Sequence, residues 1–200
     1  MSYLPHLGKL RKLKRQNPSE LESDVAKALY DLQLKHKTLK VHLPSFHINT
    51  AKEVETPKKK GLVVFYPLRY VMLVRRVQKT LTAELEKRFA GRVVVLVAQR
   101  KIAKRPNDVY KLQKVQRSRT STAVNEAILD DLLAPCNIVA RRWKMNTDGS
   151  KRMKVFLDAR DKKKTAGRIA VIESLYKKLT HRHVSIGFMW NSTYQQVAHK

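Results

Sequence analysis

The amino-acid sequence predicts a mixed α/β fold, in which amphipathic helices flank a mixed β-sheet, and three observations support it. The chain has 200 residues, 42% of them hydrophobic, which is enough to bury one substantial core. Two apolar runs, 61–66 and 92–98, enclose a helical pattern, an order typical of a right-handed βαβ crossover between parallel strands. An Asp-Gly pair at 148–149, between two alternating segments, predicts a C-terminal β-hairpin.

The first predicted helix begins at Pro18 and Ser19. Ser19 and Glu22 fit a capping box, and apolar residues at three- and four-residue steps continue to about Leu34. Residues 46–55 have a weaker pattern, typical of an extended segment. We therefore expect one helix and one extended segment before the crossover.

The crossover helix is predicted from apolar residues that recur every three or four positions between Val71 and Phe89. Gly91 follows them and fits a helix C-cap. The apolar strands on either side complete the central unit of the predicted fold.

A second amphipathic helix is predicted after the crossover, capped by Ser121 or Thr122 and ended by Pro135. The arms of the hairpin are 138–146 and 151–157, joined by a two-residue turn. Because side chains alternate along a strand, we expect Trp143 and Met145 to face inward on the first arm.

The last predicted elements are a lysine-rich loop at 162–164, a short helix over 169–179 and an alternating strand over 184–190. We assign residues 18–190 to a single α/β domain that carries a basic arm at 99–119. Residues 1–17 form a basic N-terminal tail and 191–200 a C-terminal tail. For the N-terminal tail, a short helix formed on RNA and a solvated segment are both open.

The charge of the chain indicates a polyanionic partner. Lysine and arginine number 43 against 16 acidic residues, a formal net charge of +27, which is far more than solubility requires. Basic side chains bind nucleic acid by neutralising phosphates and releasing counterions. A single charge run is usually a solvated loop, but repeated clusters at the predicted connections favour a protein embedded among RNA helices.

The candidate RNA-binding residues fall into three groups. In the basic arm they are Arg100, Lys101, Lys104, Arg105, Lys111, Lys114, Arg117 and Arg119. In the N-terminal tail they are Lys9, Arg11, Lys12, Lys14 and Arg15. The remaining clusters are Lys58, Lys59, Lys60, Arg141, Arg142, Lys162, Lys163 and Lys164.

The sequence contains no pattern that predicts catalysis or a cofactor. The turn after the first crossover strand, 66–70, has no glycine and so cannot form a phosphate-binding loop. Cys136 is the only cysteine, and the histidines are scattered without metal-ligand spacing. No segment has the length of a signal peptide core or a membrane span. We therefore expect no enzyme, metal, cofactor, small-molecule substrate or membrane contact, and an intracellular protein.

Four sequence motifs resemble one known family. They are Glu-Leu-Glu-Lys-Arg-Phe-Ala-Gly-Arg-Val-Val at 84–94 with Ala-Gln-Arg-Lys-Ile at 98–102; Ile-Asn-Thr-Ala-Lys-Glu at 48–53; Arg-Ser-Arg-Thr at 117–120 with Ala-Ile-Leu at 127–129; and Tyr-Lys-Lys-Leu-Thr at 176–180. Together with Asp-Gly-Ser at 148–150 they resemble the eukaryote-type small-subunit ribosomal protein seven family, which is distinct from the bacterial protein of that number.

The resemblance implies a structural constituent of the cytoplasmic small ribosomal subunit. Its partners would be small-subunit rRNA, neighbouring small-subunit ribosomal proteins and pre-ribosomal assembly particles. The family also implies support of subunit assembly and pre-rRNA processing, with a nuclear or nucleolar stage before the cytoplasmic ribosome. The basic loop is shorter than is usual in the family, and both ends of the chain depart from the pattern.

Other functions are compatible with the composition alone. A non-resident assembly factor or chaperone that binds pre-rRNA is the main alternative, because basic composition does not separate a resident protein from a transient one. An RNA-directed enzyme and a general DNA-binding protein are further alternatives.

Overall fold

The structure is a computed structural model that describes residues 5–12, 17–56, 59–104 and 116–189. The chain divides into two compact units, Met1–Leu132 and Leu133–Lys200. Each unit contains a three-stranded sheet with one antiparallel and one parallel pairing. The mixed α/β class is confirmed, but the strands form two sheets rather than one. The assignment of 18–190 to a single domain stays a prediction.

In the described ranges the helices and strands follow the sequence periodicities closely. The α-helices are α1 (Glu20–Lys35), α2 (Lys37–His42), α3 (Val71–Arg88), α4 (Ser121–Leu133), α5 (Lys162–Thr165) and α6 (Ile169–Thr180). The strands are β1 (Thr50–Glu55), β2 (Lys60–Pro67), β3 (Arg92–Gln99), β4 (Ile138–Met145), β5 (Lys151–Asp158) and β6 (His183–Met189). Short 3₁₀ helices occur at Pro5–Lys9, Leu68–Tyr70, Arg117–Arg119 and Ala159–Asp161.

The first sheet has the order β1-β2-β3. β1 is antiparallel to β2, while β2 and β3 are parallel and α3 lies between them along the chain. The core on one side of this sheet joins alternate residues of the strands to the apolar faces of α1, α2 and α3. Its buried members include Val25, Leu29, Leu39, Leu62, Val64, Tyr66, Leu81, Leu85, Val94 and Leu96.

The N-terminal segment docks on this unit. Leu10 forms an isolated parallel bridge with Ile48, and Arg11 N–H donates to the Ile48 carbonyl at 2.9 Å. The Lys9 ammonium is buried and donates to the carbonyls of Leu43 (2.5 Å) and Pro44 (3.2 Å). Residues 5–12 are therefore held by backbone pairing and a buried lysine, whereas the sequence suggested a helix formed on RNA or a solvated tail.

The predicted capping box of α1 is confirmed. The Ser19 hydroxyl accepts from Glu22 N–H, and Glu22 Oε2 accepts from Ser19 N–H at 2.9 Å. The same carboxylate oxygen lies 2.6 Å from Lys12 Nζ. Glu22 therefore caps the helix and also ties the N-terminal segment to it.

The second unit repeats the connectivity of the first. Its sheet has the order β4-β5-β6, with β4 antiparallel to β5 and β5 parallel to β6. α6 precedes β6 and buries Val171, Ile172, Leu175 and Tyr176. Met153, Val155 and Leu157 are buried on the inner face of β5, as their alternation predicts.

The hairpin loop and its first arm differ from expectation. Asn146 N–H donates to the Ser150 carbonyl, and Gly149 N–H donates to the Asn146 carbonyl, both at 3.0 Å. The loop therefore has three residues, with Gly149 alone at positive φ (72°), rather than a two-residue Asp-Gly turn. Trp143 is in register with the buried Met153 and so shares the inner face of the sheet. Trp143 and Met145 are nevertheless 41% and 66% exposed, because β4 lies at the edge of the sheet, where fewer neighbours cover the side chains.

Several other boundaries were missed. α2 was not predicted. The lysine-rich segment 162–164 is the start of the one-turn helix α5, not a loop. The end of the last strand, Trp190, lies outside the described residues.

Among the described residues, no helix is long and apolar enough to cross a membrane.

Carboxylates reach the outer strand of each sheet in the same way. Glu86 of α3 accepts from Val94 N–H of β3 at 3.2 Å. Glu173 of α6 accepts from Ile186 N–H of β6 at 2.8 Å. Each connecting helix thus satisfies a backbone donor on the parallel strand that follows it, which protects that strand edge.

We predict that Glu22→Gln destabilises the chain by about 1–3 kcal/mol at neutral pH, because charged hydrogen bonds are lost. Burial alone raises the pKa of Glu22, but the Lys12 ammonium and Ser19 N–H outweigh it and hold the pKa below the ordinary 4.5. A depressed carboxyl pKa stabilises the fold above the unfolded pKa, and this contribution disappears as pH falls through the folded value. The difference between wild type and variant should therefore shrink below pH 4.5.

Urea unfolding at several pH values measures this difference. Glu20→Gln is the matched control, because Glu20 is exposed in the same first turn. A pH-independent loss in Glu22→Gln would contradict the ionic role of Glu22.

Candidate nucleic-acid interface

The outer face of the second sheet carries a continuous group of cations. Residues paired in register project from the same face of a sheet. One cross-strand row is Lys144, Arg152 and His183, and the next is Arg142, Lys154 and Ser185. All of these side chains except Ser185 are exposed.

The local sequence explains why the cations share this face. Arg152 and Lys154 alternate with the buried Met153 and Val155, so the period of the strand directs them away from the core. Phe156 follows in the next row, opposite Gly187, and Lys154 Nζ lies 5.3 Å from its ring centroid. The result is a basic surface with an aromatic ring at its side, an arrangement that suits phosphates and unstacked bases. We call Arg142, Lys144, Arg152, Lys154 and His183 the basic sheet face.

A second basic region lies in the first unit, at the base of the arm. Ala103 N–H donates to the Arg119 carbonyl at 3.0 Å, which joins the two ends of the arm. The predicted contacts that lie near this junction and are exposed are Lys101, Lys104, Arg117 and Arg119.

Arg100 is placed differently from the other residues of the arm. Its Nη1 donates to Asp131 Oδ2 of α4 at 2.5 Å, and that oxygen also accepts from Ala98 N–H of β3 at 3.1 Å. The side chains of Arg100 and Asp131 are only 11% and 4% exposed. The pair neutralises the Arg100 guanidinium inside the unit and joins α4 to the end of β3.

Two basic residues of the N-terminal segment are also engaged internally. Lys9 is buried, and burial lowers its pKa. Lys12 is bound to Glu22. Arg11 is exposed, so within the described part of this segment it is the predicted contact that faces solvent.

The remaining predicted contacts lie on the surface. Lys59 and Lys60 are exposed at the start of β2, and Lys60 Nζ lies 3.4 Å from Glu55 and 3.9 Å from Glu53. The other exposed members are Arg141, Arg142, Lys162, Lys163 and Lys164. The predicted contacts outside the described residues are Lys14, Arg15, Lys58, Arg105, Lys111 and Lys114.

No group of His, Cys, Asp or Glu side chains in the described ranges is arranged to hold a metal ion. Cys136 is half-buried, and its Sγ lies 3.0 Å from the Thr165 hydroxyl. The geometry is that of a structural thiol.

Comparison with known proteins identifies the family. The model of the family described as ribosomal protein S7e matches residues 9–188. The chain belongs to the ribosomal protein S7e family. The resemblance in the sequence motifs is therefore confirmed, and because the family is one of ribosomal structural proteins, so is the prediction that the chain is not an enzyme.

Individual relatives agree with this membership over nearly their whole length. Small ribosomal subunit protein eS7 of Schizosaccharomyces pombe is 40% identical, covering 91% of this chain and 94% of the relative. The eS7z protein of Arabidopsis thaliana is 39% identical, with 90% and 94% covered. The eS7 protein of Drosophila melanogaster is 38% identical, with 86% and 90% covered.

Sequence reasoning missed the centre of the basic sheet face of this S7e-family chain. Arg142 was a candidate, but Arg152 and Lys154 of β5 were not. Charge runs drew attention to the connections, whereas these cations are separated by apolar residues. The period-two alternation in the hairpin arms was the available signal, since the residues between buried positions must share the opposite face.

We predict that Asp131→Asn destabilises the fold by about 3–5 kcal/mol, because Arg100 would stay buried without its counter-charge. Denaturant unfolding measures the change. Asp24→Asn, in the exposed pair with Lys27, is the control and should alter stability by less than about 1 kcal/mol. Equal effects of the two substitutions would contradict the structural role of the Arg100–Asp131 pair.

Proposed function

We propose that this chain is a structural constituent of the small ribosomal subunit and that it binds small-subunit rRNA. The observation that carries the proposal is the basic sheet face, where four Lys and Arg side chains and one His lie exposed in two adjacent rows. Family membership supports the ribosomal role, since its curated relatives are named small ribosomal subunit proteins.

The mechanism is neutralisation of phosphates by cations at fixed spacing. Each phosphate contact releases condensed counterions, so affinity falls steeply as salt rises. A sheet holds its side chains more rigidly than a loop, and the basic sheet face therefore fits one RNA backbone geometry better than others. Recognition is mainly of backbone and shape rather than of base sequence.

The base of the arm supplies a second contact region. Lys101, Lys104, Arg117 and Arg119 are exposed around a junction that hydrogen bonding holds closed. Arg100 acts there as an anchor for the arm, since its charge is paired with Asp131. Two basic regions on two separate units allow one chain to bind more than one segment of rRNA.

The same contacts account for a role in assembly. A protein that neutralises phosphates on separate RNA segments favours the compact arrangement of those segments, as any ligand favours the state it binds. We therefore propose that the chain joins pre-ribosomal particles, supports pre-rRNA processing and contacts neighbouring small-subunit proteins. Its site of action is the cytoplasmic ribosome, after a nucleolar assembly stage.

Neutralising the basic sheet face tests rRNA binding. The variant Arg142→Gln, Lys144→Gln, Arg152→Gln, Lys154→Gln should lower the salt slope of affinity by about three, because each of four phosphate contacts contributes roughly 0.7–0.9. Filter binding of small-subunit rRNA across a series of salt concentrations measures the slope. Thermal unfolding should be nearly unchanged, because all four side chains are exposed.

The control carries the same charge change on α1, α2 and α3. It replaces the exposed residues Lys35, Lys37, Lys40 and Lys79 by glutamine. We expect its salt slope to change by no more than about one. If both variants lose the same affinity, binding follows net charge alone and the basic sheet face is not the interface.

Sedimentation separates a resident subunit protein from a transient one. The tagged full chain should migrate with small subunits, monosomes and polysomes in a gradient of cell extract, and it should remain there at high salt. Confinement to precursor particles, or release by salt, would instead make the chain an assembly factor.

A further inference from the structure

A recess in the first unit lies where the parallel strands β2 and β3 end. Pro67 and Gln99 are the last residues of these strands and are partners in register, and both line the recess. Its volume is about 660 Å³, within the range of roughly 300–1,000 Å³ that small-ligand sites occupy. In open α/β sheets, ligands commonly bind outside the carboxyl ends of parallel strands.

One part of the recess is apolar. Pro67 and Leu68 contribute from the strand end, and Ala123 and Ala127 contribute from α4. Leu68 is 53% exposed, so its apolar side chain is accessible to a ligand in the recess. Small and flat apolar groups of this kind suit the face of a nucleobase, which stacks against apolar as well as aromatic side chains.

The polar groups of the recess are held in place. Asn49 Nδ2 donates to Gln99 Oε1 at 2.5 Å. Within the described part of the chain, Asn49 Oδ1 and Gln99 Nε2 make no further hydrogen bond. The pair therefore presents an acceptor and a donor side by side, which is the pattern that the edge of a base requires.

The charge of the lining fits a polyanion. Lys101 and Arg119 line the recess and are exposed, and no carboxylate is among the lining residues. The charge of Arg100, which also lines it, is balanced by Asp131. These two exposed cations beside an apolar and amide-bearing recess suit the phosphates on either side of a single base.

We propose that the recess binds one unstacked nucleotide of the bound RNA. The base lies against the apolar wall with its edge toward Asn49 and Gln99, and the flanking phosphates lie at Lys101 and Arg119. The inference rests on the proposed rRNA binding and extends it: this site adds dependence on a base, whereas the basic sheet face binds the backbone.

The test compares short RNAs that differ only in their bases. Fluorescence anisotropy is measured for the full chain with six-nucleotide oligoadenylate, oligocytidylate and oligouridylate, and with an abasic strand of the same length and charge. At least one base-bearing strand should bind about tenfold more tightly than the abasic strand. Nuclear magnetic resonance of the wild type should show the methyl signals of Ala123 and Ala127 shifting with that strand and not with the abasic one.

A pocket-filling variant adds a second readout. Ala127→Phe should reduce the ratio of the affinity for the base-bearing strand to that for the abasic strand to about one. The affinity for the abasic strand itself should be unchanged. Ala83→Phe, at an exposed position of α3, is the matched control and should keep the ratio. The wild-type methyl shifts decide the question by themselves if Ala127→Phe does not fold.

The outcomes separate the two proposals. Equal affinity of wild type for base-bearing and abasic strands, without shifts at the α4 methyls, would overturn the nucleotide site and leave phosphate-based rRNA binding intact. If the wild type binds neither the short strands nor small-subunit rRNA, the proposed function fails and the nucleotide site fails with it.

Discussion

Hydrogen bonding by a small number of carboxylates holds this basic chain together. Only 16 acidic residues accompany 43 basic ones. Each internal carboxylate therefore has many cations to pair with, but few other acids could take its place. Glu22 joins the N-terminal segment to α1, and Asp131 joins α4 to the end of β3 while it neutralises Arg100. Because Asp131 binds the buried Ala98 N–H as well as Arg100, removing it leaves an unsatisfied backbone N–H and an unpaired charge in the interior. The structure therefore depends on where its few acids lie rather than on their number.

The two units share the same order of strands and helix and the same kind of carboxylate contact. In each, an antiparallel pair is followed by a helix and a parallel strand, and a glutamate of that helix accepts from the strand that follows it: Glu86 from Val94 and Glu173 from Ile186. A bonded edge donor is less available for pairing with another chain. The acids are too few to neutralise all the lysines and arginines, which leaves a formal net charge of +27. The same scarcity of acids supports the proposed affinity for a polyanion.

Basic residues of this chain serve two different purposes that look alike in the sequence. Lys9, Lys12 and Arg100 are bound internally, whereas Arg142, Lys144, Arg152 and Lys154 project from a sheet into solvent. The first group stabilises the first unit, whereas the sheet of the second unit presents the second group. At the base of the arm both roles meet, because the Arg100–Asp131 pair lies beside the exposed Lys101 and Arg119. A substitution of one arginine can thus weaken either the fold or the proposed RNA contact, and only the burial and partners of that arginine say which.

The sequence by itself determined the class of the fold and the positions of α1, α3, α4, α6 and the two valine-rich strands, because periods of 3.6 and 2.0 are local properties of the chain. It also determined the capping box at Ser19 and Glu22, the hairpin region and the family, through motifs at fixed spacing. The tertiary structure decided that the strands form two sheets, that Trp143 and Met145 lie exposed on an edge, and that the hairpin loop has three residues. It also decided which cations are bound within the fold and which are presented, because the partner of Lys9 lies 34 residues away and that of Arg100 lies 31 away. Such pairings depend on long-range contacts that no local pattern encodes.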